Sequence, residues 1–344
     1  MGHTACRCKA RDGRLREIVM RHIFASLSAL LALGAVTTST PHAQTPPYPS
    51  RQIQIVLGFP PGPVDLVGRP VATRLQEALG QTVVFENRAG ANGAIATEHV
   101  MRAVPDGYTI LLATSGTHVT AVHLTKNLSY DPVKDFEPII AAVEPVTSLV
   151  VHPSVPADTV PELIAWLKAN PSKASYGTSG NGSVFHLMGE LFKQTTGVQL
   201  THVPYRGVDP AMMDLVAGHI PILFTAHSTA APHIDAGKAK LIAMLEPERF
   251  ARRPNTPSIT EAIPAFRKPP TWFGFFAPKG TPEPVIAKLN TEIAKILATP
   301  EMQARFQDAG YAMLGGSPQR LRDMMVDGIE SFGAIIKTAG IQAE

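Results

Sequence analysis

Short apolar runs alternate with amphipathic stretches from residue 52 to the end of the chain. Residues 52–57 alternate between polar and apolar side chains and then become continuously apolar, and residues 109–114 have an apolar centre, which predicts strands buried inside a sheet. Residues 66–79 instead repeat apolar side chains every three or four positions, which predicts a helix. Strands that alternate with helices in this way favour an α/β fold, in which a mixed, mainly parallel sheet is flanked by helices.

The same rhythm occurs in both halves of the chain, which predicts two lobes. Extended runs at 139–143 and 147–151 can carry the chain from the first lobe into the second, and the run at 241–245 precedes its return. Ligands of open α/β sheets bind at the carboxyl ends of the strands, so two facing lobes would enclose a ligand cleft. The predicted boundaries are 44–147 for the first part of lobe 1, 148–250 for lobe 2 and 251–344 for the second part of lobe 1.

The first 43 residues end in the pattern of an export signal. From Met20 a basic start leads into an apolar run that reaches Val36, and small residues follow as far as Ala43. This is the order of a secretory signal peptide, and the apolar run is too short to span a bilayer. We therefore expect residues 1–43 to be an N-terminal extension and signal peptide, with the signal itself at about 20–43.

Removal of that segment changes the charge of the protein. The segment holds six of the 31 basic residues and two of the 28 acidic residues, so the formal net charge falls from +3 to −1. Both cysteines, Cys6 and Cys8, are removed with it. The mature chain is therefore not expected to bind nucleic acid, and it has no cysteine for a disulfide, a nucleophile or a metal site.

Two loops rich in Gly, Pro, Ser and Thr each lie between a predicted strand and a predicted helix. The first precedes Asp65, a predicted N-cap, and the second precedes a helix that opens near Ser183. Glycine lets the backbone approach a ligand, and a helix N-terminus presents unpaired N–H groups and the positive end of its dipole. One such loop is equally typical of a plain strand-to-helix connection, but a pair favours a site for an anion such as a carboxylate.

The residues that catalysis or metal binding would need do not form a known pattern. The stretch Gly177-Thr-Ser-Gly180 lacks the second glycine of a nucleophile elbow, although a secreted hydrolase that uses Ser179 or Ser183 stays as an alternative. The 12 histidines lack the spacing of metalloprotease or zinc-finger ligands, and no loop carries a dinucleotide or phosphate fingerprint. We therefore predict a protein that is not an enzyme and that uses no metal and no cofactor.

Several separate motifs, in the same order along the chain, resemble those of Bug-type solute receptors, the extracytoplasmic binding components of tripartite tricarboxylate transporters. The resemblance covers residues 48–344. The motifs are Phe59-Pro-Pro-Gly62 with Asp65, Glu86-Asn-Arg88 with Gly90-Ala91 and Gly93, Pro105-Asp-Gly-Tyr108, Tyr130-Asp-Pro-Val-Lys-Asp-Phe136, Tyr176-Gly177 with Ser179-Gly-Asn-Gly-Ser183 and His186-Leu187, His202-Val-Pro-Tyr205, and Trp272-Phe-Gly274 with Ala277-Pro278 and Gly280-Thr-Pro282.

The resemblance implies a periplasmic binding protein of two lobes that close over a small carboxylic acid and deliver it to membrane subunits of the transporter. In that family a loop of each lobe binds the ligand carboxylate, partly through ordered water. Carried onto this chain, the ligand-binding residues are Phe59, Pro60, Pro61, Gly62 and Asp65 in the first lobe and Ser179, Gly180, Asn181, Gly182 and Ser183 in the second. Ser115 and Thr117 are expected to line the same cleft, and Asp65 is expected to stiffen its loop, because a bare carboxylate would repel an anionic ligand.

The chain departs from the family pattern at two places. The segment Gly62-Pro-Val-Asp65 is one residue shorter than usual and contains Pro63, which has no N–H to donate, so the contact of the first lobe with the ligand is expected to differ. Thr225 stands where the family tends to have an acidic residue. Thr225, with Ala226 and His227, is therefore expected to select the distal group of the ligand and to disfavour an ammonium group.

These observations predict a monomeric periplasmic receptor for a di- or tricarboxylate or an aromatic acid. Its expected partners are that ligand and the membrane subunits of a tripartite transporter. A ligand-sensing periplasmic protein that feeds a signalling partner is an alternative, because binding alone does not distinguish sensing from transport.

Overall fold

The computed structural model describes residues 47–343, which form eleven strands and eleven α-helices. The strands are β1 (Ile53–Leu57), β2 (Val83–Asn87), β3 (Thr109–Thr114), β4 (Phe136–Pro145), β5 (Thr147–Val151), β6 (Ser175–Thr178), β7 (Thr201–Pro204), β8 (Ile222–Ala226), β9 (Lys240–Met244), β10 (Phe273–Pro278) and β11 (Tyr311–Met313). The helices are α1 (Asp65–Leu79), α2 (Ala94–Met101), α3 (Ala121–Leu124), α4 (Val160–Ala169), α5 (Val184–Thr196), α6 (Val208–Val216), α7 (His227–Asp235), α8 (Ile259–Ala262), α9 (Glu283–Leu297), α10 (Pro300–Asp308) and α11 (Pro318–Ala339). A short π-helix, Gly116–Thr120, leads into α3.

Two mixed sheets make up this part of the chain. The first sheet has the order β11-β4-β10-β3-β1-β2, and the second has the order β7-β6-β8-β5-β9. In the first, β1 is parallel to β2 and β3, whereas β10 runs antiparallel to both β3 and β4. In the second, β6 is parallel to β7 and β8, whereas β5 runs antiparallel to β8 and β9. The mixed character is confirmed, but the strands that carry the chain between the sheets run antiparallel, so parallel pairs are not in the majority.

The first crossing between the sheets is a single residue long. β4 ends at Pro145 and β5 begins at Thr147, so only Val146 separates a strand of the first sheet from a strand of the second. The start of β5 lies beside the end of β8, because Thr147 pairs with Ala226. The end of β4 lies beside Phe273, which in turn pairs with Thr114 at the end of β3. The carboxyl ends of the parallel strands in both sheets therefore meet at this crossing.

Local sequence signals set the ends of several helices. Thr159 forms a capping box with Glu162 at the start of α4, and the hydroxyl of Ser183 accepts the N–H of His186 at the start of α5. The cap at Ser183 confirms the helix start predicted from the sequence. No helix within residues 47–343 combines the length and the apolar character that crossing a bilayer requires. The predicted signal peptide lies outside the described residues.

Three details differ from the sequence predictions. Asp65 is not an N-cap: α1 begins at Asp65 itself, and the N-cap position is occupied by Val64 without a side-chain hydrogen bond. The helix α7 was not predicted, since its polar residues and the internal Pro232 hide a helical pattern. The strand β11 has only three residues, which is too short for a periodic signal.

Candidate functional site

The first loop, residues 58–64, lies between β1 and α1 and is held in place by the side chain of Asp65. One carboxylate oxygen of Asp65 accepts the N–H of Gly62 at 3.1 Å and the side-chain amide of Asn87 at 3.1 Å, and the other accepts Arg69 Nε at 2.9 Å. Asn87 also donates to the carbonyl of Phe59 at 3.0 Å. The buried Asp65 is therefore turned into the loop, where it stiffens the backbone and is neutralised by Arg69.

Phe59, Pro60, Pro61 and Gly62 form the outer part of this loop. Pro60 and Pro61 are exposed, whereas Phe59 and Gly62 are half-buried. A Cβ atom placed on Gly93 would lie 2.7 Å from Thr117 Cγ2 and 3.4 Å from the ring of Phe59. The structure thus brings the first loop beside the segment that follows β3.

Ser115 and Thr117 follow β3, and their hydroxyl groups differ in whether they already hydrogen-bond within the protein. Thr117 Oγ1 donates to the carbonyl of Thr114 at 3.0 Å and contacts Nδ1 of His118 at 3.0 Å, so it is committed to the protein. For the hydroxyl of Ser115, no hydrogen-bond partner is found among residues 47–343. Ser115 is therefore the better placed of the two to bind a ligand.

The second loop, residues 179–183, connects β6 to α5 and depends on its two glycines. Gly180 and Gly182 have φ values of 128° and 67°, a region that favours glycine. The hydroxyl of Ser183 donates to the carbonyl of Gly180 at 2.8 Å while it caps α5, so Ser183 shapes the loop. The N–H groups of Ser179 and Asn181 have no acceptor among residues 47–343, and the N–H groups of the first turn of α5 have no intrahelical partner.

Thr225 lies at the end of β8, next to the second loop. Tyr176 and Gly177 pair in parallel with Ile222 and Leu223, so the end of β8 that holds Thr225 lies at the same end of the sheet as the second loop. Thr225 is fully buried, and its hydroxyl has no hydrogen-bond partner in the described part of the chain. An unpaired buried hydroxyl is costly, so a ligand group that bonded to it would gain correspondingly.

Close contacts link the second loop to α3 and the start of α7 to the segment before β11. A Cβ atom on Gly182 would lie 2.6 Å from Leu124, which ends the helix that follows Ser115 and Thr117. A Cβ atom on Gly310 would lie 3.1 Å from the N atom of Ser228, at the start of α7. The first loop therefore lies beside the segment that follows β3, and the second loop contacts α3, the next helix along the chain from that segment.

The charge of the two loops is unusual for an anion site, because charged side chains are nearly absent from both loops. Of the predicted site residues only Asp65 is ionisable, and it is paired with Arg69. A cation lies close by: Arg206 is exposed and follows Tyr205, whose carbonyl oxygen is 3.3 Å from the Cβ position of Gly180. The loops thus offer N–H groups and hydroxyls, with one positive charge near the rim.

Three buried or partly buried histidines are held in their neutral form. Burial lowers the pKa of His118 to about 3 and those of His202 and His227 to about 4. Nδ1 of His227 lies 2.9 Å from the hydroxyl of Ser148, but both residues are buried, so this pair has no open face toward a substrate. No local sequence pattern predicts the roles of His202 and Asn87, because their partners Thr178 and Asp65 lie on other elements.

Residues 47–343 contain no group of three or more His, Cys, Asp or Glu side chains arranged to hold a metal ion. The two loops and the segment after β3 can offer a ligand hydrogen-bond donors. A carboxylate accepts several such bonds, and bonds to an ionised acceptor are stronger than those between neutral groups.

Comparison with known proteins shows the family and the fold of the chain. The family model described as "Tripartite tricarboxylate transporter family receptor" matches residues 67–341. A UPF0065 protein from the tcbD-tcbE intergenic region of Pseudomonas sp. strain P51 is 34% identical over 329 residues, which cover 94% of this chain and 95% of that protein. The structure of R. palustris Rpa4515 with adipate shares 34% identity at a TM-score of 0.76, and that of the periplasmic binding protein BugD shares 33% at 0.71; each match covers 86% of this chain and 100% of the other. The chain therefore belongs to the Bug-type receptor family of tripartite tricarboxylate transporters and has the fold of a two-lobed periplasmic binding protein.

Proposed function

We propose that this protein binds a small organic acid, either a di- or tricarboxylate or an aromatic acid, in the cleft between its lobes. It delivers the acid to the membrane subunits of a tripartite tricarboxylate transporter. In this proposal residues 1–43 are removed on export and the mature protein works in the periplasm as a monomer. The observation that supports the proposal is that the hydroxyl of Ser115 and the N–H groups of Ser179 and Asn181 have no hydrogen-bond partner among residues 47–343.

The lobes of the proposed receptor are residues 44–147 with 251–344, and residues 148–250. They turn about the crossing at Val146 and the return segment that follows β9. One ligand carboxylate binds between the first loop, with Ser115, and the second loop, with the N-terminal turn of α5. Each lobe supplies only part of the hydrogen bonds, so the anion favours the closed arrangement over the open one.

The distal end of the ligand is proposed to lie against Thr225 and the start of α7. The unpaired hydroxyl of Thr225 offers a hydrogen bond, and the neutral ring of His227, buried beside Ser148, adds no charge. This environment suits a second carboxylate or an aromatic ring and disfavours an ammonium group. The similar protein Rpa4515 was solved with adipate, a linear dicarboxylate, which supports this class of ligand.

Thermal unfolding of the mature protein tests the proposal. A ligand present at 100 times its Kd should stabilise the native state by about 2.7 kcal/mol, which raises Tm by several degrees. The panel should contain adipate, malate, citrate and benzoate, with glutamate as an ammonium-bearing control. A protein whose Tm responds to none of these acids would not be the receptor proposed here.

Matched serine variants locate the carboxylate. Ser115→Ala and Ser179→Ala should each weaken binding about tenfold, because each loses one hydrogen bond to a charged acceptor. Ser172→Ala is the control, because Ser172 is exposed and precedes β6, whereas the second loop follows the other end of that strand. Equal affinity of all three variants would place the ligand elsewhere.

A substitution at the end of β8 tests the distal end. Thr225→Asp should weaken adipate binding by charge repulsion and raise the relative affinity for glutamate, whose ammonium group could pair with the new carboxylate. If the variant keeps the wild-type order of affinities for adipate and glutamate, Thr225 does not contact the ligand.

A further inference from the structure

Two histidine rings stack directly behind the second loop. His186 lies in the first turn of α5 and His202 lies on β7, yet their ring centroids are 3.8 Å apart and their planes differ by only 8°. Both rings are largely enclosed, next to Tyr176 on the intervening strand β6. The pair thus fills the space under the loop that the proposed function assigns to the ligand carboxylate.

Each ring is bonded to a different part of that loop. Nδ1 of His186 accepts the N–H of Gly182 at 3.0 Å. Nε2 of His202 lies 2.6 Å from the hydroxyl of Thr178, and that hydroxyl also accepts the N–H of Gly180 at 3.2 Å. Both glycine N–H groups are therefore directed away from the cleft, which fixes the direction in which the neighbouring N–H groups of Ser179 and Asn181 point.

The bond to Gly182 requires one protonation state of His186. Because Nδ1 accepts the hydrogen bond from Gly182, the proton of the neutral ring must reside on Nε2. This Nε2 atom lies 3.8 Å from Oε1 of Glu190. The charged and titratable groups that face the two rings are Glu190 and Lys193 on α5 and Tyr176 on β6. Glu190 is already bonded to the Tyr176 hydroxyl at 2.6 Å and to Lys193 at 2.8 Å, so its charge is shared.

We propose that His186 and His202 are positioning residues of the second loop, and that their hydrogen bonds hold it in the conformation that binds the ligand. The proposal rests on the function proposed above for that loop, but its structural part is independent of any ligand. Burial lowers the pKa of both rings, so both are neutral near pH 7, the state in which His186 Nδ1 accepts the Gly182 N–H. Protonation of Nδ1 would replace that acceptor with a donor and release the loop.

Two substitutions of His186 separate the hydrogen bond from simple filling of space. In His186→Asn the side-chain oxygen can occupy nearly the position of Nδ1 and still accept the N–H of Gly182, whereas His186→Leu fills the space without an acceptor. His152→Leu is the control, because His152 adjoins Pro221 at the start of β8, away from the loop. Backbone amide exchange at Gly182, measured without ligand, should be about tenfold or more faster in His186→Leu and close to wild type in His186→Asn and His152→Leu.

Affinity for adipate and citrate, measured by calorimetry, gives the second readout. His186→Leu should bind about tenfold more weakly and His186→Asn should recover most of that loss. The wild-type affinity should fall more steeply toward acid pH than that of His186→Asn, which cannot protonate at this position, so the difference between the two profiles excludes protonation of the ligand as the cause. If His186→Leu does not fold, His202→Gln against His202→Leu repeats the comparison at Thr178, with exchange at Gly180 as the measurement.

The outcomes distinguish this proposal from the function on which it rests. Faster exchange at Gly182 in His186→Leu, in a protein that binds none of the acids, would support the positioning role and refute the receptor function. Unchanged exchange at Gly182 together with unchanged affinity would overturn the positioning role and leave the receptor function in place. Equal losses in His186→Leu and His186→Asn would show that only the bulk of the ring matters, which also overturns the proposal.

Discussion

Replacement of Lys268 tests whether a buried ion cluster stabilises the crossing between the two sheets. The side chain of Lys268 is only 2% exposed and contacts the carboxylates of Glu144, near the end of β4, and Glu246, just after β9. Glu246 also accepts the N–H and the hydroxyl of Thr147 at 2.8 Å each, at the start of β5. We call Lys268, Glu144 and Glu246 the hinge cluster, because it joins both segments through which the chain passes between the sheets.

The magnitude follows from the burial of the charges. Lys268→Met removes the only cation of the hinge cluster and leaves two carboxylates that are 17% and 7% exposed. Breaking a buried pair in this way costs about 3–5 kcal/mol, because the remaining charge is neither paired nor hydrated. Burial alone would lower the pKa of Lys268, but the two carboxylates outweigh it and raise that pKa, so the lysine is charged in the wild type. Burial raises the pKa of Glu246, so this carboxyl can take up a proton and soften the loss at acid pH.

Urea unfolding followed by circular dichroism at pH 7.5 and pH 5.5 measures the effect. Lys268→Met should lose about 3 kcal/mol or more at pH 7.5 and less at pH 5.5. The double variant Lys268→Met/Glu246→Gln should recover part of the loss, because the amide oxygen can still accept the bonds from Thr147. Lys134→Met, which breaks an exposed pair with Asp131, should leave the unfolding curve unchanged.

Two results would refute this reasoning. A loss below about 1 kcal/mol for Lys268→Met would mean that the carboxylates are hydrated in solution. A double variant no more stable than Lys268→Met would mean that the unpaired charge of Glu246 is not the cause of the loss.

Three further predictions concern the cleft and its surroundings. Asp65→Ala removes the acceptor of the Gly62 N–H and should weaken adipate binding several-fold while calorimetry shows only modest destabilisation; wild-type affinity would contradict the role of Asp65 in the first loop. Arg206→Gln should slow association of citrate in stopped-flow measurements at low salt and have little effect at 0.5 M salt, whereas an equal slowing at both salt concentrations would exclude electrostatic steering. The free energy of unfolding should be highest above pH 6.5 and should fall as the pH drops toward 4. Burial lowers the pKa of His118 to about 3 and those of His202 and His227 to about 4 in the folded chain, whereas the unfolded chain protonates these residues at their ordinary pKa. Tm measured from pH 8 to pH 4 checks this, and a flat profile between pH 6.5 and pH 4.5 would contradict it.

The elements that the sequence predicted best are those with a strong local signal. Continuous apolar runs placed β1 and β3 within a residue of their observed ends, and the cap at Ser183 placed the start of α5. The direction of the strands is a different matter, because it depends on where the chain turns. β10 enters the first sheet beside β3 in the antiparallel sense, and nothing in an apolar run records its direction.

The candidate site shows the same division between local and distant information. Gly180 and Gly182 reveal from composition alone that the second loop has an unusual backbone. The side chains that hold the two loops in place cannot be recognised from composition. Asn87 contacts Asp65 from the end of β2, and His202 contacts His186 from β7. Such contacts exist only after the sheets have assembled, so a single sequence carries no periodic trace of them.

The distribution of charge fits a receptor whose ligand binding depends on closure. The hinge cluster places three buried charges at the crossing, whereas the loops proposed to bind the ligand carry no charged group other than the paired Asp65. Neutral N–H and hydroxyl donors attract an anion only weakly while water competes for it, and much more strongly once the second lobe excludes that water. A lysine or arginine in either loop would hold the acid in the open state and weaken this dependence. In the proposed receptor, uncharged loops therefore make the closed, loaded form distinct from the open one, which is the difference that a membrane partner must recognise.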